Sequence, residues 1–162
     1  MSVAQNIAAI RTHIPAGVTL LCVSKFHPAE MIAEAYSAGE RDFGESHVQE
    51  LVRKHDLLPK DIRWHMIGHL QTNKVRAIVP FVYLIHSVDS LRLLEIIQRE
   101  AARINVVVNV LLEVHVAREE TKSGFTPDEL QALLDSGTVI LCTRPNAQHT
   151  RRGHYGYGYQ HR

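Results

Sequence analysis

The sequence predicts an α/β fold with parallel strands. Two observations carry this. Strand-like and helix-like segments alternate five times with short connections, as in successive βαβ units. The first strand segment, residues 18–23, is almost wholly apolar, as expected of a strand covered on both faces. An open doubly wound sheet and a (β/α)8 barrel both fit that alternation. A barrel usually takes about 250 residues and rarely fewer than about 200. This chain of 162 residues supplies five β/α units before the rhythm stops.

The elements follow in order. Residues 2–13 read as a helix, with Val3, Ile7 and Ile10 at helical spacing and Ser2 as its cap. Pro15 and Gly17 end it. Residues 18–23 form an apolar strand. Residues 28–38 form a helix with Pro28 in its first turn and Gly39 past its end. A short strand over 41–44 precedes a helix over 46–55, and Pro59 closes that segment. Residues 62–67 are a strand, and 71–78 a basic helix stopped by Pro80. A strand over 82–86 and a helix over 90–103 follow. Residues 106–116 are the longest β-type run, and Thr126 caps a helix ending near 134.

Composition narrows the class. Hydrophobic residues make up 45% and charged residues 22%, the balance of an ordinary globular domain. A formal net charge of +1 gives no basis for nucleic acid or an anionic membrane as partner. The two cysteines, Cys22 and Cys142, suit a reduced compartment better than a disulfide framework. The opening "MSVAQNIAAIRTHI" lacks the apolar core of a signal peptide, and no run reaches membrane-spanning length. The expectation is a cytoplasmic protein. The histidines show no repeated metal-ligand spacing, so no metal is expected.

Polar residues follow each strand, where parallel α/β folds gather their ligands. Lys25 ends "LLCVSK". A lysine partly buried there loses hydration of its ammonium and can become a nucleophilic amine. Its ordinary reading is a solvated strand-end residue. "FGES" places Ser46 after the second strand, where its ordinary role is a helix cap. "WHMIGHLQTNK" places His69, Gln71 and Asn73 after the third. "HSVDS" places Ser87 at the end of the fourth, with Asp89 or Ser90 capping the next helix. "EVHVAREETKSGF" follows the fifth as a long polar loop. The regular placement favours a ligand mouth over scattered surface polarity, without naming the ligand.

The stretches "CVSKFHPAEMI", "AGERDFGESHVQEL", "WHMIGHLQTNKVR", "HSVDS" and "EETKSGF" together resemble the pyridoxal phosphate homeostasis family, also called the YggS or PROSC family. That family is related in fold to the N-terminal barrel of alanine racemase. The five motifs stand in the family's order and cover the chain to about Gly137. The resemblance implies a (β/α)8 TIM-type barrel, here only about its first five strands. It implies pyridoxal 5′-phosphate as cofactor, held as a Schiff base on Lys25, with Ser46, His69 and Ser87 as further cofactor contacts. The family's F-G-E-N reads F-G-E-S here, with Ser46 in place of the asparagine. Its H-L-Q-x-N-K is intact as His69, Leu70, Gln71, Asn73 and Lys74. Members are monomers regarded as carriers or buffers of the cofactor, acting in vitamin B6 and amino-acid balance. A racemase would need a second base opposite the lysine, for which His69 is the best stand-in. The alternatives are a racemase-like enzyme and a non-functional fragment.

The tail departs from the pattern. The family continues with a G-[LIV]-M-G-M-A strand and a glycine-rich phosphate loop that this chain lacks. Yet "GHYGYGYQHR" can be written GGG CAT TAT GGG TAT GGC TAC CAA CAC CGA. Read from its second base, that string encodes Gly-Ile-Met-Gly-Met-Ala-Thr-Asn-Thr. The expectation is a frameshift between residues 137 and 145. Residues 1–137 would be a partial cofactor-binding barrel, and 138–162 an aberrant, unstructured tail. Open sheet edges would then invite self-association.

Overall fold

The computed structural model describes residues 2–115 and 123–136. Residues 138–162, where the tail is expected, lie outside the described residues, as do 116–122 of the polar loop. The element order is α1 (Val3–Arg11), β1 (Cys22–Val23), α2 (Ala29–Ser37), β2 (Asp42–Glu45), α3 (Val48–Leu57), β3 (Arg63–Met66), a 3-10 turn (Thr72–Lys74), α4 (Val75–Ile78), β4 (Val82–Val88), α5 (Leu91–Arg103), β5 (Asn109–Leu112) and α6 (Pro127–Asp135).

The five strands form one sheet in the order β1-β2-β3-β4-β5, and every neighbouring pair is parallel. This order separates the two layouts that the sequence leaves open. A doubly wound sheet reverses its strand order at a switch point. Here every crossover steps one strand in the same direction, and right-handed crossovers then place all the helices on one face. That is the layout of a (β/α)8 barrel, over five of its strands.

Strand alternation builds the core on that face. Cys22, Phe43, Trp64, Val82 and Ile85 stand on it in register across four strands. They pack with Leu51 of α3, Val75 and Ile78 of α4, and Leu93 and Ile97 of α5, all buried. The opposite face carries Val23, Tyr83 and Leu111, each exposed. The first strand is therefore covered on one face in the described structure, where its apolar run leads one to expect two. Among the described residues no helix is long and apolar enough to cross a membrane.

Local signals set the helix ends. Ser2 caps α1 in a capping box with Gln5, and Thr126 does the same for α6 with Glu129. Ser90, not Asp89, caps α5 by accepting from the Leu93 N–H. Gly39 ends α2 at φ +102°, a left-handed conformation that glycine adopts freely.

Several boundaries differ from expectation. β1 pairs only over Cys22–Val23, because it lies at the sheet's edge with β2 alone beside it. Ser46 does not cap α3: the helix starts later, with His47 in the cap position and no side-chain cap bond. The basic helix expected over 71–78 breaks into a 3-10 turn and a single α turn, since Thr72 and Asn73 are poor helix formers. β4 runs on to Val88, and β5 pairs only over Asn109–Leu112.

Candidate functional site

The carboxyl ends of the strands assemble the residues singled out above. Lys25 follows β1 in a tight turn. The His27 N–H bonds the Ser24 carbonyl at 3.1 Å, and Phe26, third in that turn, has φ +67°. A bulky side chain is rare in that left-handed region, where glycine is the usual occupant. The Lys25 Nζ lies 5.9 Å from the centre of the Phe26 ring. Lys25 itself is exposed. Burial therefore does not supply the desolvation that the sequence reading invoked for it.

Ser46 and Ser87 meet through the backbone of Gly68. The Ser87 hydroxyl donates to the Gly68 carbonyl. A Cβ placed on Gly68 would stand 2.4 Å from the Ser46 carbonyl oxygen and 2.8 Å from its Cα. These three residues join the ends of β2, β3 and β4. His69 turns away from them: its Nδ1 sits 3.2 Å from the Asp89 carboxylate, and its side chain is exposed. It opens onto a cavity of about 670 Å³ lined by His69, Gln71, Asn73, Asp89 and Ser90, with Ser123 and Gly124 beyond β5. Lys25 reaches this group through its neighbour: the Phe26 ring packs 6.1 Å from the ring of His47, next to Ser46.

Behind Lys25 lies a charged cluster that the sequence reading passed over. Glu45, the last residue of β2, and Lys54 of α3 are both fully buried. The Lys54 ammonium donates to Glu45 Oε1 at 2.7 Å, to Glu50 Oε1 at 2.7 Å and to the Ser24 carbonyl at 2.9 Å. The Ser24 hydroxyl donates to the same Glu45 oxygen at 2.6 Å. The Lys54 bond, and with it the Phe26 backbone N–H, holds the Glu50 carboxyl below its usual range. The available signal was the i, i+4 spacing of Glu50 and Lys54. Nothing in the spacing says that this face of α3 turns inward.

A second cluster lies on the opposite face of the sheet. Asp42 is gripped by Arg63 and by His65 Nε2 at 3.1 Å, and His65 Nδ1 lies 2.9 Å from His86 Nε2. Burial pushes the Asp42 carboxyl up, but the Arg63 and His65 bonds outweigh it and leave it lowered. Burial lowers His65 and His86. Among the described residues no group of three His, Cys, Asp or Glu could hold a metal ion.

Residues 1–139 match the alanine racemase N-terminal domain. The chain belongs to that family. It is similar to the pyridoxal phosphate homeostasis protein of Aquifex aeolicus, 45% identical over 117 residues that cover 72% of this chain and 51% of the relative. The match to the protein of the same name from Schizosaccharomyces pombe is 39% identical over 118 residues, 72% of this chain and 50% of the relative. The chain thus spans about half the length of these two relatives. PipY of Synechococcus elongatus, solved with PLP bound, superposes with a TM-score of 0.79 at 38% identity, covering 87% of this chain and 66% of PipY. The expected barrel-type fold and the resemblance to the homeostasis family both stand on these matches.

Proposed function

We propose that this chain binds pyridoxal 5′-phosphate at Lys25 and serves the cellular handling of that cofactor rather than catalysis. The observation that carries this reading is the position of Lys25. It is an exposed amine at the carboxyl end of β1, on a turn whose Ser24 carbonyl is held by the buried Lys54 ammonium, with the neighbouring Phe26 ring packed against His47, the residue after Ser46. Its support from relatives is the name shared by the curated proteins and the PLP-bound PipY.

The residues fit the cofactor's aldehyde end. A lysine amine condenses with an aldehyde with loss of one water, forming a carbon–nitrogen double bond that water reverses. When bound, the cofactor supplies an electron sink for amino-acid chemistry. Ser46 and Ser87 offer hydroxyls, and Gly68 lets backbone approach closely. His69 and Asp89 rim the neighbouring cavity. The carbon–nitrogen bond to Lys25 is reversible in water, which suits a carrier. The racemase alternative requires a base facing Lys25; His69, with its Nδ1 beside Asp89, lines the neighbouring cavity.

The test is the visible spectrum of purified protein with added cofactor, beside Lys25→Ala. A yellow band of lysine-bound cofactor that survives brief dialysis, and is lost in Lys25→Ala, is the expected result. Spectra of free cofactor in both proteins would refute the reading. Turnover of an added amino acid would move it to the enzyme alternative.

A further inference from the structure

We propose that Phe26 is a further binding residue of the Lys25 site: its ring, with the ring of His47 beside it, is an aromatic wall against which a flat aromatic aldehyde joined to Lys25 seats. This deepens the reading of Lys25 as the cofactor residue and rests on it.

Phe26 is a residue that packing does not explain. It sits at φ +67° in the turn closed by the His27 N–H on the Ser24 carbonyl at 3.1 Å. A bulky side chain is strained in that left-handed region, where glycine is the usual occupant. Burial does not compensate the strain. The residue is 75% exposed, the largest fraction for a large apolar side chain among the described residues. Strain without packing to offset it points to a task outside the fold.

What the conformation achieves is placement. The Lys25 Nζ lies over the Phe26 ring, 5.9 Å from its centre. The His47 ring stands 6.1 Å from the same ring and is tilted to it by 53°. His47 occupies the cap position of α3, yet its side chain makes no cap bond. Its Nδ1 lies instead 3.3 Å from the Ser46 hydroxyl. Lys25, Phe26, His47 and Ser46 thus form a continuous line from the end of β1 to the end of β2, and both rings are exposed.

The wall selects a chemical class. The carbon–nitrogen double bond that a lysine amine forms with an aromatic aldehyde is planar and conjugated with the ring that carries it. That ring begins two bonds from the lysine nitrogen. It therefore falls within the separations of about 4.5–7 Å at which aromatic rings attract one another. The Phe26 face also covers one side of the double bond from the water that would reverse it. An aliphatic aldehyde on the same nitrogen has no ring to seat and gains nothing from the wall.

Glycine at position 26 separates the wall from the turn, because the two predict opposite signs. Phe26→Gly suits the turn, so the urea midpoint of the cofactor-free chain should hold or rise. Its apparent Kd for pyridoxal 5′-phosphate should nonetheless rise roughly three- to tenfold, the worth of one aromatic pair. Phe26→Tyr keeps the aromatic face and should retain the affinity that glycine loses. Affinity in Phe26→Gly equal to or better than the parent's would overturn the proposal, as would a loss of affinity accompanied by a fall in the urea midpoint. A second measurement does without the cofactor. The three proteins are treated with salicylaldehyde or with propanal, and cyanoborohydride reduces the double bond to a stable amine. Peptide mass spectrometry then compares Lys25 with Lys60, another exposed lysine. Salicylaldehyde should favour Lys25 in the parent and in Phe26→Tyr and lose that preference in Phe26→Gly, while propanal should be indifferent to residue 26. The same salicylaldehyde preference in all three would sink the wall. If no protein forms a Lys25 adduct with pyridoxal 5′-phosphate, the cofactor reading falls and this labelling alone decides the role of Phe26.

Discussion

Gly68 lies against Ser46 so closely that a Cβ on the glycine would stand 2.4 Å from the Ser46 carbonyl oxygen and 2.8 Å from the Ser46 Cα and Cβ. The obstacle is mainly backbone, so no side-chain rotation relieves it. The contact sets how near the end of β3 comes to the end of β2, and the Ser87 hydroxyl fastens the same glycine to β4.

Gly68→Ala must therefore push the ends of β2 and β3 apart. Overpacking against fixed backbone costs about 3 kcal/mol, or more where nothing can move. The variant is expected to lower the urea midpoint and to weaken cofactor binding with it. A variant as stable as the parent would show that these strand ends are looser than the contact implies.

Much of this arrangement was legible in the sequence. The alternation of apolar runs and amphipathic segments reports burial directly, so the β/α units and the strand-end positions of Lys25, Ser46, His69 and Ser87 could be read from it. Strand order could not, because it depends on which strand neighbours which. The buried cluster was hidden for another reason. Glu45, Glu50 and Lys54 look like ordinary solvated charges in "GESHVQELVRKHD", and charged residues are almost never fully buried unless paired. Their pairing partner, the Ser24 carbonyl, is backbone and leaves no trace in the sequence. Ser46 was misread as a cap because its residue type suits one, while the helix begins further on.

The Glu45–Lys54 pair yields a stability prediction of its own. Lys54→Met strands the Glu45 carboxylate in the interior and should destabilise the chain by about 3–5 kcal/mol. Adding Glu45→Met removes the stranded charge and should recover most of that loss. Chemical denaturation of the three proteins checks this. A double variant no more stable than Lys54→Met would mean that Glu45 is needed for more than its partner, its bond to the Ser24 hydroxyl being the candidate.

Stability should fall on mild acidification. Burial holds His65 below its usual range against the opposing pull of Asp42, and burial followed by the nearby His65 does the same for His86. Burial, with Lys60, also lowers His55. A group with a lowered folded-state value favours the folded chain when deprotonated. Its contribution is present above the unfolded value near 6.5 and drains away as pH falls toward the folded value. The urea midpoint should therefore drop between about pH 7 and pH 5. His65→Asn should flatten that slope. Asp42 acts in a lower window: its lowered carboxyl contributes above about 3.8 and is lost further into acid. An unchanged midpoint from pH 7 to pH 5 would mean that these rings remain hydrated in solution.

The Cys22 thiol is pushed up to about 11, by burial first and by the nearby Glu40 carboxylate second. The thiolate is the reactive form, so at pH 8 its fraction falls well below that of a free cysteine, whose value lies near 8.5. Cys22 should be alkylated by iodoacetamide at least tenfold more slowly in the folded chain than in urea, as followed by mass spectrometry of the peptide that carries it. The slow rate is a property of Cys22's packing against the core beside the Glu40 carboxylate, which Arg11 of α1 binds. Arg11→Ala removes the one nearby cation acting to lower the thiol, so folded-state alkylation should slow further rather than speed up. Faster alkylation in Arg11→Ala would show instead that β1, the two-residue edge strand ahead of Lys25, opens when that ion pair is lost.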